Sequence, residues 1–304
     1  MYDMIVAGGG PAGMTAALYA LRNGKKVLVI EKQGFGGQIT HSPKVENYPG
    51  TLQMSGNEFA DRMLDQILKQ GAEIELEKVV SVSDQGAVKV VETEEGGRYE
   101  GRTVVLATGV KHRMLGLPGE EEMVGDGISF CAVCDGDFYS GQKVCVAGGG
   151  NSALQEALLL AQKCSEVVIL QDLPFCTGEQ KLQDALASLP NVTIRTGVGI
   201  TGLIQNDGVF CGVRTQDKET GLEEETACDG LFVAVGLIPE NGQFEGLAAL
   251  DEAGYFDADE QCLTKTPGVY VAGDCRRKNV RQLTTAVADG ASAALAACRY
   301  LNEG

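Results

Sequence analysis

The stretch Asp3-Met4-Ile5-Val6-Ala7-Gly8-Gly9-Gly10-Pro11-Ala12-Gly13 decides the fold. Its first five residues read as a short strand buried in a parallel sheet. Met14 to Asn23 then reads as a helix, with Ala16, Ala17, Leu18, Ala20 and Leu21 as its apolar content. Gly24 suits the cap that ends it. Lys26-Val27-Leu28-Val29-Ile30 is a second buried strand, ending at Glu31. The spacing Gly8-x-Gly10-x-x-Gly13 therefore sits in a strand, turn, helix, strand unit, the context that makes such glycines a dinucleotide motif. The first glycine permits the tight turn, the second lets backbone approach a pyrophosphate, and the third lets helix and strand pack closely. The helix start offers unpaired N–H groups and a favourable dipole to phosphate. Glu31 is placed to accept from a ribose hydroxyl pair.

A second copy lies mid-chain. Lys143-Val144-Cys145-Val146-Ala147 is a strand, Gly148-Gly149-Gly150-Asn151-Ser152-Ala153 the turn, Leu154 to Gln162 an apolar helix, and Glu166-Val167-Val168-Ile169-Leu170 the next strand. Two such units predict an α/β chain of two nested Rossmann-like, three-layer ββα dinucleotide-binding domains. Asn57 to Gln70 reads as an amphipathic helix on Phe59, Met63, Ile67 and Leu68. Glu73 to Glu100 alternates as a β-meander does, and Thr103 to Gly109 is a buried strand with a glycine turn. Leu231 to Gly236 matches it after the second copy, and Asn191 to Thr226 is again β-like. Val269 to Asp274 is a late strand ending in an acid. Gln282 to Leu301 is a small-sided final helix carrying Thr285, Ala286, Ala288, Gly290, Ala291, Ala293 and Ala294.

Composition narrows the function. The chain has 304 residues, 42 acidic and 25 basic side chains and a net charge of −17. That balance argues against nucleic acid and against an anionic membrane surface. No apolar run reaches the ~20 residues of a spanning helix. Ten cysteines scattered without a secretion signal point to a reducing, cytoplasmic setting with mostly free thiols. Cys145, Cys164, Cys211, Cys228 and Cys298 fit buried structural thiols. His41 and His112 read as loop histidines.

Cys131-Ala132-Val133-Cys134-Asp135-Gly136 holds the only Cys-x-x-Cys. Zinc would need two more ligands at matching spacing, and no metal site is expected. Buried structural thiols are a second reading and a redox dithiol the third, favoured by the spacing, which suits fast exchange. Asp135 is the natural proton donor and acceptor, or else a turn acid before Gly136. A redox dithiol beside dinucleotide units implies a flavin.

At these residues the chain resembles the low-molecular-weight thioredoxin reductase family of FAD-dependent pyridine-nucleotide-disulfide oxidoreductases, essentially end to end. Matching segments are Gly8 to Gly13, Gly36-Gly37-Gln38, Val45 to Gly50, Ala107-Thr108-Gly109, Leu117-Pro118-Gly119-Glu120, Cys131 to Gly136, Gly273-Asp274 and Arg281-Gln282. The resemblance implies FAD held by Gly8, Gly10, Pro11, Ala12, Gly13, Glu31, Gly37, Gln38, Thr40, Asn47, Ala107, Thr108, Gly109, Asp274, Arg281 and Gln282. It implies catalysis by Cys131, Cys134 and Asp135, with Cys134 nearer the flavin. It implies an FAD domain built from 1–113 and 240–304, around an NAD(P)-type central domain, 114–239, that carries the dithiol. It implies a homodimer, and a thioredoxin-like protein as substrate.

One departure bears on the electron donor. NADPH-dependent members carry His-Arg-Arg and a further Arg after the second unit's strand, where this chain has Gln171-Asp172-Leu173 and Cys176. NADPH is thereby disfavoured, and Asp172 suits a free 2′-hydroxyl of NADH. In this departure the chain resembles the ferredoxin-dependent flavin thioredoxin reductase branch, so the donors rank ferredoxin, NADH, NADPH. Arg276-Arg277-Lys278 with Arg281, and Lys111 with Arg113, are candidate basic patches for an acidic ferredoxin. Competing functions are a dithiol oxidase that uses oxygen, a non-catalytic flavin-binding redox sensor, and a ferredoxin–nicotinamide reductase.

Overall fold

A computed structural model describes residues 1–42 and 45–303. They sort into two units, Met1–Thr40 with Tyr48–Lys111 and Ile238–Gly304, and His41–Asn47 with His112–Leu237.

The first unit is built on one sheet, in the order Glu73–Leu76, Val27–Glu31, Tyr2–Ala7, Arg98–Leu106, Val88–Thr93, Val79–Gln85. Val269–Val271 also pairs with Arg98–Leu106. The strand Arg98–Leu106 serves two sheets' worth of pairing. Its end is parallel to Tyr2–Ala7, with Ala7 opposite Leu106, and its start is antiparallel to Val88–Thr93. The meander and the buried strand read separately from the sequence are thus one continuous element. Side chains alternate across Tyr2–Ala7. Met4 and Val6 meet the alanines of helices Pro11–Arg22 and Leu283–Glu303, while Ile5 and Ala7 meet Val79, Val91, Phe244 and Phe256 on the other face. The first helix begins at Pro11, three residues earlier than the apolar pattern suggested. Proline suits a first helical position, because its fixed φ is already helical and its missing N–H would be unpaired there. The helix Gly56–Lys69 is capped by Ser55, whose side chain accepts from Glu58 N.

The second unit repeats this plan. Its parallel sheet runs Val192–Thr196, Glu166–Gln171, Lys143–Ala147, Gly230–Val233, Ile128–Ser129. Helices Asn151–Ala161 and Gln180–Ala187 pack on one face through Ala153, Leu154, Ala157, Leu160 and Leu186. The antiparallel strands Val198–Asn206, Val209–Asp217 and Glu223–Ala227 cover the other through Val198, Phe210 and Val213. Each unit is a three-layer α/β domain of Rossmann type.

Small side chains and one ionic knot seat the last helix. A Cβ on Gly290 would lie 2.1 Å from Ala12 O, so only glycine allows the final helix this close to the first. Beside it Asp289 accepts from Arg276 Nε at 2.8 Å and Nη2 at 2.7 Å, from Lys278 Nζ at 2.9 Å and from Gly273 N at 3.0 Å. This overturns the reading of Arg276-Arg277-Lys278 with Arg281 as a basic docking patch. Arg276 and Lys278 are buried in ion pairs, Arg277 pairs with Asp257, and Arg281 lies over the Tyr255 ring. In the second patch Lys111 and Arg113 are both exposed, and Lys111 pairs with Glu240. The reason is local: Asp289 and Asp257 are distant in sequence and near in space.

Replacing Asp289 by Ala strands two buried cations and should cost about 3–5 kcal/mol. Replacing Gly290 by Ala overpacks the helix pair and should cost about 1–3 kcal/mol. Urea midpoints of the two variants check both.

Candidate active site

In the first unit, the glycine loop is set by backbone geometry. Gly8 adopts φ +113°, which an L side chain rarely does, and donates its N–H to Ile30 O. A Cβ there would strike Ala107 O at 2.2 Å. Gly9 N donates to Glu31 Oε2 at 2.6 Å, and Gln33 N to Oε1 at 3.1 Å. Glu31 is thus a buried brace for the loop, with lone pairs to spare for a hydroxyl. Gly36 N donates to Gly9 O, which brings Gly37 against Gly10. The short helical turn Gly37–His41 holds Gln38, exposed, and Thr40, whose hydroxyl donates to Gly37 O. Gly10 caps the helix that Pro11, Ala12 and Gly13 begin.

Two further strand ends converge on that loop, those of Arg98–Leu106 and Val269–Val271. Ala107 N donates to Ala7 O. Thr108, just before Gly109, donates from its hydroxyl to Asn241 Oδ1 at 2.8 Å. Asn241 is 1% exposed, and its Nδ2 donates to Gly254 O and Cys275 O. The sequence reading passed over this brace, since no local pattern marks it. Gly273 packs on Ala12, and Asp274 follows. Asp274 Oδ1 is buried without a hydrogen-bond partner, 3.4 Å from Lys278 Nζ. Burial pushes its carboxyl up, against the pull of Lys278 and Arg281. Arg281 Nε donates to Asp274 O, and Gln282 N to Thr285 Oγ1 at the start of the last helix. Asn47, expected in this group, sorts instead with the second unit.

In the second unit, Cys131 and Cys134 form a disulfide, their Cα atoms 5.3 Å apart. Cys131 caps the short helix Ala132–Asp135, its Sγ accepting from Cys134 N at 3.2 Å. Asp135 is 9% exposed. Ser129 ties it to the dithiol segment, donating to Asp135 Oδ2 at 2.7 Å and accepting from Cys131 N at 3.1 Å. Burial pushes the Asp135 carboxyl up, partly offset by the Ser129 bond. His112 is no loop histidine. It closes the short strand Lys111–His112, and its ring stacks on Phe130 at 4.5 Å, next to Cys131. Burial, with His41 nearby, lowers its pKa to about 4, so it is neutral at physiological pH. Leu115, Gly116 and Leu117 donate their N–H groups to the buried Glu120 carboxylate, which explains the Leu117 to Glu120 motif.

The second glycine loop copies the first. Gly148 has φ +118° and donates to Leu170 O. Where Glu31 stood in the first unit, Gln171 packs beside Gly149 and donates to Phe175 O. Asp172 pairs with Lys218 at 3.2 Å, a cation brought from far along the chain. Of the thiols read as structural, Cys145, Cys164, Cys228 and Cys298 are buried, but Cys211, near the start of the strand Val209–Asp217, is only half-buried. Among the described residues no group of three or more His, Cys, Asp or Glu could hold a metal. None of their helices is long and apolar enough to cross a membrane.

The family model for pyridine nucleotide-disulphide oxidoreductases matches residues 2–290. The thioredoxin reductase of Peptoclostridium acidaminophilum is 38% identical over 308 residues, 99% of this chain and 97% of that protein. That of Bacillus subtilis is 36% identical over 303 residues, 100% of this chain and 96% of that one. The crystal structure of thioredoxin reductase from Streptococcus pyogenes superposes with a TM-score of 0.93 at 38% identity, covering 100% of this chain and 99% of that one. This similarity implies FAD, and the first unit fits it. A positive-φ glycine loop opens onto a helix start, and Asp274 presents an orphaned buried oxygen that a hydroxyl donor would satisfy. On that coverage the chain belongs to the pyridine nucleotide-disulphide oxidoreductase family, and it is an oxidoreductase that acts on a disulfide.

Proposed function

We propose that this chain reduces the disulfide of a thioredoxin-like protein through Cys131 and Cys134, and that its electrons come from ferredoxin and not from NADPH. FAD, held by the first unit, would supply the two-electron centre that feeds the dithiol. The protein's own residues do the rest. Reduction opens the Cys131–Cys134 disulfide. One thiolate attacks the substrate disulfide and the other resolves the mixed disulfide. Asp135 takes the proton from the attacking thiol and returns it to the leaving sulfur. Ser129, bonded to both Asp135 and Cys131 N, keeps acid and sulfur in fixed relation.

The donor reading rests on one observation. At the end of the strand Glu166–Gln171, where a 2′-phosphate calls for cations, stand Gln171, Asp172 and Leu173. Lys218 reaches this place, but the Asp172 carboxylate engages it. A second reading, NADH as donor, is favoured by the preserved geometry of the second glycine loop and by Asp172, which suits a free 2′-hydroxyl.

Anaerobic bleaching of the flavin separates these donors. Reduced ferredoxin should bleach it fast, and NADPH at micromolar concentration should not; fast bleaching by NADPH overturns the donor reading. Asp172→Arg with Leu173→Arg should restore charge-assisted contacts of about 1.5–3 kcal/mol each, raising the rate with NADPH by at least tenfold. Replacing Cys131 or Cys134 by Ser should abolish thioredoxin reduction and leave bleaching by the donor intact. Retained turnover in both variants would remove the dithiol from the mechanism.

A further inference from the structure

The short helix that carries the dithiol packs on the helix Asn151–Ala161. Ala132 shares an apolar cluster with Ala153, Ala157 and Leu160, and a Cβ on Gly136 would lie 3.3 Å from the Leu160 side chain. Each helix brings one carboxyl group into this packing. Asp135 Oδ1 and Glu156 Oε2 are both buried and both lack a hydrogen-bond partner. Buried polar oxygens without partners are uncommon and need a cause. Burial, followed by the charge of Asp135, pushes the Glu156 carboxyl up to about 8.

The surroundings hold no compensating cation among the described residues. Ser129 is the partner of Asp135. Tyr139, on the turn that continues the short helix, is pushed up to about 12 by burial and by the charges of Asp135 and Asp126, with Cys228 adding to the effect. Lys163, just past the end of the longer helix, is held by Asp137. No cation pulls either carboxyl down. The charge of Asp135 thus adds to the burial that keeps the Glu156 proton in place.

We propose that Glu156 is a positioning residue for the dithiol chemistry, keeping its own proton so that Asp135 alone carries the charge that accepts and returns a proton between sulfurs. The inference rests on the roles given above to Cys131, Cys134 and Asp135. A thiol of the reduced enzyme gives its proton to the Asp135 carboxylate, and its sulfur attacks the substrate disulfide. That S–S bond breaks, and the leaving thiolate takes the proton from Asp135. The second enzyme thiol repeats the transfer as the Cys131–Cys134 bond forms. Two electrons and two protons pass to the substrate. An ionised Glu156 would make the Asp135 carboxylate more basic, so that Asp135 would hold the proton it takes and not return it to the leaving sulfur.

The test needs no electron donor. The flavoprotein is reduced with dithiothreitol, freed of it, and mixed anaerobically with bis(2-hydroxyethyl) disulfide between about pH 6 and pH 9.5. Alkylation and mass spectrometry then follow formation of the Cys131–Cys134 bond. Glu156→Gln mimics the protonated form. It should match the parent within about twofold at pH 7 and lose the parent's several-fold decline above about pH 8, and Glu156→Asp should bring a decline back. Asp135→Asn should lose about 100-fold at every pH. A Glu156→Gln profile of unchanged shape, with the Asp135→Asn loss present, overturns the role of Glu156 and leaves the dithiol reading standing. Absence of the Asp135→Asn loss overturns the reading beneath it.

Stability gives a readout separate from exchange. The folded protein keeps a proton on Glu156 that the unfolded chain releases above about pH 4.5. Its stability should therefore fall as pH rises from there to about 8, a slope that Glu156→Gln removes. Equal slopes in melting temperature for parent and variant would count against the proposal.

Discussion

The nucleotide end of the first unit depends on the close seating of two helices, Pro11–Arg22 and Leu283–Glu303. Gly290 faces Ala12 O at a distance that excludes any side chain. That approach carries the Asp289 carboxylate to Gly273 N, Arg276 and Lys278. It thereby fixes the turn that presents Asp274 to the glycine loop. Buried ion pairs of this kind are a poor source of net stability, because desolvation consumes most of the attraction. Their value here is geometric. Arg276 meets both oxygens of one carboxylate, and a bidentate pair tolerates little displacement.

Much of the fold was legible because it repeats a periodic signal. Apolar runs such as Met4 to Ala7 and Val144 to Ala147 mark parallel strands buried on both faces. The glycine spacings mark the turns between those strands and their helices. The dithiol was legible for a different reason: no other two cysteines in the chain share its spacing.

What escaped the sequence was whatever depends on partners far along the chain. The basic run at Arg276 to Lys278 looks solvated when read locally, and Asp289, on the last helix, turns Arg276 and Lys278 inward. Asn241 braces Thr108 from 133 residues away. His112 has no motif about it, and its stacking on Phe130 exists only in the folded unit. Glu156 reads as one polar residue in an apolar helix. Its significance comes from Asp135, which lies on a different helix.

The brace between Glu31 and Gly9 has a consequence for how the first unit meets its cofactor. The loop's turn is already held by Glu31 Oε2, by Gly8 N on Ile30 O and by Gly36 N on Gly9 O. Ligand binding to a flexible loop must offset the entropy of ordering it. Here hydrogen bonds within the chain itself meet that cost, so the loop's shape does not hang on contacts with its ligand.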